Sequence, residues 1–301
     1  MVLKTIEEAI RAASAGKQRK VLSVAVPEDP HTLEAVLRAA REGYVKPLLV
    51  GNRDKILEIV SNDLKTEIED EWVIDKKNRE EAADEAVALV RDGKADFLMK
   101  GSINTAEIMR AVLNKEHGLP HEKLITDIAI TELPWYHKLL FFADGGLVVY
   151  PTLEQKAAMI RLIVDSMHRL GYGDHIKVGI LCVAETFSPK IQESVDAVEL
   201  KRMNREGEIT GCIVEGPISL DLAMKPDVAR AKQYESPCAG DVDVLIMPNL
   251  VTGNVYSKSI EMLGAEPLGI ITGAKCPIVC VSRGAPAELK YKTIVMASML
   301  A

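Results

Sequence analysis

The sequence lacks the motifs of the common nucleotide-dependent and hydrolytic enzymes. No G-x-x-x-x-G-K-[ST] occurs, and no strand-like run is followed by G-x-G-x-x-G. A G-x-S-x-G nucleophile elbow is also missing. These absences argue against a P-loop NTPase, a conventional Rossmann dehydrogenase and a serine hydrolase of the α/β type.

Long apolar runs are missing too, and only 4% of the residues are aromatic. No run reaches the roughly 18 apolar residues of a membrane-spanning helix. The first residues, M-V-L-K-T-I-E-E-A-I-R, predict an amphipathic helix rather than a signal peptide. The formal net charge of −7 argues against nucleic acid as a partner, because binding its backbone needs a basic surface. A phosphorylated small molecule needs only a local cluster of Arg and Lys.

Metal-binding and disulfide patterns are absent as well. The five cysteines are an odd set without C-x-x-C, which is typical of a reduced, cytoplasmic protein. His117 and His121 are four residues apart in H-G-L-P-H, but glycine and proline make this segment a loop, and we do not expect zinc there. The acidic run I-E-D-E-W predicts a solvated strand face. We therefore predict no metal site.

What the sequence does contain is a regular alternation of apolar, strand-like runs and helical segments. The chain has 301 residues, 48% of them hydrophobic. Chains longer than about 250 residues usually form more than one domain, each with its own hydrophobic core. The alternation predicts parallel sheets, whereas two strand-like runs separated only by P-W-Y-H predict an antiparallel pair. We expect two α/β domains with mostly parallel sheets and a cleft between them: residues 1–125 with 276–301, and residues 126–275.

Several predicted strands end in small and polar residues. The segment K-G-S-I-N places Lys100, Ser102 and Asn104 at a strand end and a helix start, and D-G-G begins with Asp144. Glu215 follows another strand, although a simple turn explains such residues equally well. Because ligands of open α/β sheets bind beyond the carboxyl ends of strands, these residues predict a site for a large anionic ligand.

The stretch from Ile246 to Gly284 carries two further strand ends, separated by a short Gly-rich link. After the first strand, Val242–Met247, we predict a helix at 255–263 with Thr252 or Asn254 as its N-cap. Gly253 would let a ligand approach the backbone.

The same helix would place Lys258 in its first turn, where the dipole opposes a cation, so that an anionic partner would explain the lysine. After the second strand, Pro277–Val281, come Ser282, Arg283 and Gly284. A hydroxyl beside a guanidinium can hold a phosphate or a developing oxyanion.

An ordered set of segments resembles the phosphate acetyl/butyryl transferase family, in particular its phosphate butyryltransferase branch. The resemblance runs over nearly the whole chain. The segments are V-A-V-P-E-D, A-D-F-L-M-K-G-S-I-N-T-A, F-F-A-D-G-G, Y-P-T-L-E-Q-K, V-x-E-G-P-I-S-L-D-L-A, M-P-N-L-V-T-G-N-V-x-x-K and V-S-R-G.

The resemblance implies reversible transfer of a short acyl group, such as butyryl, between coenzyme A and orthophosphate, with no other cofactor. It implies two α/β domains like those of isocitrate and isopropylmalate dehydrogenases, and a homodimer formed through the second domain. The family's reacting serine and arginine correspond to Ser282 and Arg283, and its T-G-N segment corresponds to Thr252–Asn254. The reaction needs no covalent enzyme intermediate, since the enzyme brings two substrates together.

The sequence departs from the family at the acid that follows S-R, where it has Ala285 and Leu289. Glu288 is the nearest carboxylate and becomes the candidate base. Asp127 stands where butyryltransferases often carry a histidine. Two alternatives stay open: a non-catalytic homologue that binds coenzyme A or an acyl phosphate, and a metal-dependent decarboxylating dehydrogenase on the same fold.

Overall fold

The computed structural model describes residues 2–15, 19–119 and 121–301, and its contacts divide the chain into two compact units. The first unit comprises Ala9–Ile125 and Leu268–Ala301, and the second comprises Met1–Glu8 and Thr126–Pro267. Residues 1–8 were predicted in the first domain and lie in the second unit. Residues 268–275 were predicted in the second domain and lie in the first unit. The side chain of His121, considered above as a zinc ligand, lies outside the described part.

Eleven strands form within the described residues. In chain order they are β1 (Lys20–Ala25), β2 (Val45–Gly51), β3 (Val73–Asp75), β4 (Phe97–Lys100), β5 (His121–Thr131), β6 (Leu140–Ala143), β7 (Ile176–Leu181), β8 (Cys212–Ile218), β9 (Val244–Ile246), β10 (Leu268–Ala274) and β11 (Ile278–Val279).

The described residues also form eleven α-helices, a π-helical turn at Ile59–Asp63 and a 3-10 turn at Asp70–Trp72. The α-helices are α1 (Ile6–Ala15), α2 (Pro30–Arg41), α3 (Arg53–Glu58), α4 (Arg79–Arg91), α5 (Thr105–Val112), α6 (Leu153–Arg169), α7 (Gln192–Arg205), α8 (Leu220–Met224), α9 (Pro226–Ala231), α10 (Leu250–Met262) and α11 (Ala287–Leu300).

Strands of the first unit follow the order β3-β2-β1-β4-β11-β10. All neighbouring pairs are parallel except β10 and β11. Helix α2 begins where Asp29, as N-cap, accepts a hydrogen bond from the backbone N–H of Thr32 at 2.8 Å, and Pro30 occupies its first turn. The apolar faces of the helices are buried, as in other layered α/β structures.

Strands of the second unit follow the order β5-β6-β9-β7-β8. Strands β5 and β6 are antiparallel, which confirms the pair predicted around P-W-Y-H, and the remaining pairs are parallel. Residues of β6 are fully buried, including Phe141 and Phe142. Both units are therefore α/β with mostly parallel strands, and the predicted fold class is confirmed.

One strand of the first unit, β10, was not predicted from the sequence. The stretch interpreted as a Gly-rich link contains β10, which pairs with β11 through Ile270 and Ile271. Gly273 in this strand has a φ of +93°, and a Cβ there would lie 2.2 Å from the carbonyl oxygen of Leu124. The glycine therefore permits a close approach of two backbones rather than marking a loop. Across the described ranges, no helix combines the length and the apolarity that crossing a membrane requires.

Candidate active site

In the first unit, two neighbouring parallel strands end in the residues predicted to bind an anion. The register of β11 and β4 pairs Val279 with Met99, so that Lys100 and Cys280 come next on the two strands. Ser282 and Arg283 follow β11 after Cys280 and Val281, and both are exposed. The structure thus brings the K-G-S and S-R segments to the same edge of this sheet, where ligands of open α/β sheets bind.

Lys100 is a buried cation, with only 4% of its surface exposed. Its ammonium group donates to the carbonyl oxygen of Ile103 at 3.3 Å, and no carboxylate of the described residues forms an ion pair with it. Burial lowers the pKa of Lys100; Cys280 raises it, and the positive charges of Lys290 and Arg283 lower it further. Such a buried, weakly partnered cation beside other cations favours the binding of an anion.

The backbone after Lys100 is held close to the end of β1. The N–H groups of Gly101 and Ser102 donate to the carbonyl oxygens of Ala25 and Val26 at 2.9 and 2.6 Å. A Cβ at Gly101 would lie 2.4 Å from the Val26 carbonyl oxygen, so that only glycine fits. Asn104 is the N-cap of α5, and its N–H donates to the Glu107 carboxylate at 2.9 Å. The segment is therefore fixed in place beside Lys100.

The side chain of Glu288 contacts residues other than those of the S-R segment. Its carboxylate forms ion pairs with Arg38 of α2 and, at 3.8 Å, with Lys292. The guanidinium of Arg38 also stacks on the ring of Tyr291, 3.8 Å from its centroid. Lys290, two residues further along α11, contacts the carbonyl oxygen of Arg283 instead. Residues two apart on a helix do not share a face, so that the geometry does not favour Glu288 as the base.

In the second unit, Asp144 organises the D-G-G turn. Its buried carboxylate accepts four hydrogen bonds, at 2.7–2.9 Å, from Thr126 Oγ1 and from the backbone N–H groups of Asp127, Gly146 and Leu147. These donors occupy both carboxylate oxygens. Asp144 therefore holds the turn together through its side chain.

The T-G-N segment contacts this turn. A Cβ at Gly253 would lie 2.1 Å from the Asp144 carbonyl oxygen and 3.0 Å from Gly145 Cα. Asn254 Nδ2 donates to the Gly145 carbonyl oxygen at 3.3 Å. The structure thus brings Asp144, Gly253 and Asn254 together, with the exposed Thr252 alongside.

The predicted start of α10 is wrong. The helix begins at Leu250, and its N-cap is Asn249, whose Oδ1 accepts hydrogen bonds from Thr252 N at 3.0 Å and Thr252 Oγ1 at 3.1 Å. Lys258 therefore lies in the third turn and not in the first, and it forms an exposed ion pair with Glu261. The helix dipole therefore gives no reason to place an anion beside Lys258.

Asp127 is a carboxyl group of the second unit whose surroundings strongly change its acidity. Its Oδ1 has no hydrogen-bond partner among the described residues. A Cβ at Gly146 would lie 2.6 Å from its other oxygen, so that the missing side chain of Gly146 makes room for it. Burial, and then the negative charge of Asp144, raise the pKa of Asp127 to about 8. This carboxyl group is therefore largely protonated at neutral pH.

The sequence did not indicate that two further residues, Asp29 and Lys290, lie close to the S-R segment. Asp29 lies in the quoted V-A-V-P-E-D segment, and only its position after a strand distinguishes it. Lys290 stands in a helix among other charged residues, and nothing in the sequence marks it. Among the described residues, no group of three or more His, Cys, Asp and Glu could hold a metal ion. That the reaction uses no metal stays a prediction.

Comparison with known proteins gives consistent relatives. Residues 65–298 match the family model described as Phosphate acetyl/butaryl transferase. The chain is 35% identical over 301 residues to the phosphate butyryltransferase of Clostridium acetobutylicum, covering 100% of this chain and 99% of the relative. It is 36% identical over 287 residues to the phosphate acetyltransferase of Thermotoga maritima, covering 95% and 96%.

Among solved structures, a branched-chain phosphotransacylase from Enterococcus faecalis is similar, with a TM-score of 0.80 and 29% identity. The match covers 93% of this chain and 98% of that structure. Sequence and fold thus agree over nearly the whole length.

Proposed function

Because the chain belongs to the phosphate acetyl/butyryl transferase family, we propose that it catalyses reversible transfer of a short acyl group, such as butyryl, between coenzyme A and orthophosphate. The observation that carries this proposal is the buried Lys100, which lies beside the strand end that bears Ser282 and Arg283. An orthophosphate dianion or a phosphate of coenzyme A supplies the negative charge that this group of cations lacks.

The chemistry requires two substrates and no covalent enzyme intermediate. A phosphate oxygen attacks the thioester carbonyl carbon, the C–S bond breaks, and coenzyme A leaves as a thiolate that takes up a proton. Negative charge builds on the carbonyl oxygen in the transition state, where the Arg283 guanidinium stabilises it or the attacking phosphate. The Ser282 hydroxyl donates a hydrogen bond to the carbonyl oxygen or to the leaving sulfur. Holding both substrates in place supplies much of the remaining rate enhancement.

The second unit contributes the D-G-G and T-G-N segments to the same proposal. Gly253 is buried against the turn, and its N–H donates to the carbonyl oxygen of Asn249 at 3.1 Å, so that this glycine shapes the turn. We propose that an extended ligand such as coenzyme A contacts the exposed neighbours Thr252 and Asn254. Ser102, Asn104 and Thr252 remain proposed substrate contacts, and Lys258 is a weaker candidate because it already pairs with Glu261.

The experiment that tests this function follows free thiol from butyryl-CoA, with and without orthophosphate and without added metal. Phosphate-dependent release is expected, and the ranking of acetyl-CoA, butyryl-CoA and longer chains identifies the acyl preference. Equal release without phosphate would identify a thioesterase. Binding of coenzyme A without release would support the non-catalytic alternative, and reduction of NAD with a divalent metal would support the dehydrogenase.

We also propose a homodimer in the cytoplasm. Helix α10 exposes Val251, Val255 and Met262 to between 59% and 89%, and their spacing places them along one side of the helix. The five cysteines of the described residues form no disulfide with one another, which suits a reducing compartment. Light scattering after gel filtration should give twice the chain mass of 33.0 kDa. A single chain mass at micromolar concentration would refute the dimer.

A further inference from the structure

A buried lysine of α11 is connected to the S-R segment through the backbone. Lys290 is 1% exposed, and its ammonium group lies 3.1 Å from the carbonyl oxygen of Arg283. The same group lies 3.1 Å from Asp29 Oδ1 and 3.0 Å from Thr32 Oγ1. An ammonium group has three N–H donors, and these three acceptors satisfy all of them.

Asp29 gives this lysine a fixed anchor. Its carboxylate also accepts hydrogen bonds from Thr32 N at 2.8 Å and from Thr32 Oγ1 at 2.5 Å, so that it is bound to the first turn of α2. The opposite charges of Asp29 and Lys290 compensate each other at 3.1 Å. The charge of Lys290 is thus compensated by Asp29, and the lysine is not a further cation available to a ligand.

The segment that Lys290 contacts has little other support. Ser282, Arg283 and Gly284 are exposed, and nothing lies within 4 Å of the position that a Gly284 Cβ would take. The Ser282 carbonyl oxygen accepts a hydrogen bond from Ala285 N at 3.1 Å, which closes a turn. The Lys290 contact ties this turn to a second element, the N-terminus of α2.

We propose that Lys290, anchored by Asp29, is a positioning residue that fixes the Ser282–Arg283 segment through the Arg283 carbonyl oxygen; the inference rests on the proposed function for its kinetic consequence. A charged side chain held within a fraction of an ångström of its working position loses little entropy when substrate binds. Without the contact, the exposed turn samples other conformations. Arg283 is then misplaced in a fraction of the molecules at the moment of reaction.

The test compares Lys290→Met with Lys292→Met, a matched change two residues further along the same helix. Hydrogen exchange of the peptide spanning 281–286 is measured on the intact protein. We expect exchange there to accelerate by about tenfold in Lys290→Met and to stay unchanged in Lys292→Met. Unchanged exchange in Lys290→Met would overturn the proposal. This readout does not depend on catalysis, so that it still decides the matter if the proposed function fails.

Kinetics then separate positioning from general stability. In the wild-type background, Lys290→Met should lower kcat/KM on the order of 10- to 100-fold. In an Arg283→Ala background the same change should have little further effect, because the positioned group is gone. Equal losses in the two backgrounds would mean a merely structural role and would overturn the proposal. If Lys290→Met does not fold, the pair Asp29→Asn/Lys290→Met, which buries no lone charge, takes its place in both measurements.

Discussion

Gly253 and Asp144 approach each other so closely that a Cβ on the glycine would lie 2.1 Å from the Asp144 carbonyl oxygen. The glycine stands inside α10, where it weakens the helix relative to alanine. Its position is therefore explained by the contact with the D-G-G turn and not by local helix preference.

Gly253→Ala should destabilise the protein by about 1–3 kcal/mol, because the new methyl group must displace backbone. Urea unfolding gives the free energy of unfolding. Gly173→Ala is the control, since nothing lies within 4 Å of its Cβ position. A loss at Gly253 no larger than at Gly173 would contradict the close approach.

Asp144→Asn should cost about 2–4 kcal/mol of unfolding free energy. The carboxylate accepts four hydrogen bonds with both oxygens, whereas the amide replaces one oxygen by a donor that faces other donors. Asp165→Asn, at an exposed site of α6 paired with Arg169, should change stability by less than about 0.5 kcal/mol. Equal effects of the two substitutions would show that the turn does not need the charge of Asp144.

Lys100→Met should raise the KM for phosphate by about 10- to 100-fold while leaving the protein equally or more stable. The substitution removes a buried cation that has no carboxylate partner among the described residues, so that the penalty of burying the charge disappears with it. Steady-state kinetics and thermal unfolding are measured together with Lys94→Met, an exposed lysine shortly before β4. A stable variant with an unchanged KM would exclude Lys100 from the anion site.

Stability should fall as the pH rises from about 5 to 8, in part because of Asp127. Its pKa is raised from 3.8 to about 8, so that in this window the folded protein holds a proton that the unfolded chain has lost. The slope from this group is at most about 1.4 kcal/mol per pH unit.

Asp127→Asn keeps a neutral side chain and should flatten this dependence. The free energy of unfolding is measured by urea at pH 5 and pH 8 for both proteins. Parallel changes in the wild type and the variant would show that Asp127 is already ionised in the folded protein at pH 5.

Much of the fold was predictable because the signals are local. The antiparallel β5–β6 pair followed from two apolar runs with no room for a helix, and the parallel strands followed from the alternation of strand-like and helical segments. The errors occurred where a tertiary contact overrides local preference. Gly273 in β10 and Gly253 in α10 look like breaks in the sequence, yet each permits a close backbone approach.

Some residues of the candidate site were predictable from the sequence and others were not. Lys100, Ser282 and Arg283 were predictable, because polar residues after buried strands meet at one edge of a parallel sheet. The contacts of Glu288 were not, since they depend on which face of α11 packs towards Arg38. The role of Lys290 depends on contacts with Asp29 and Thr32 at the start of α2, which lie 261 and 258 positions away in sequence.

Detection of the acyl phosphate itself shows whether orthophosphate accepts the acyl group. Butyryl-CoA and orthophosphate are incubated with the protein, and phosphorus NMR follows the new acyl phosphate while a thiol reagent measures free coenzyme A. We predict that both products appear in equal amounts, and that Arg283→Ala slows both by on the order of 10²–10³-fold. Free thiol without acyl phosphate would contradict phosphate as the acyl acceptor.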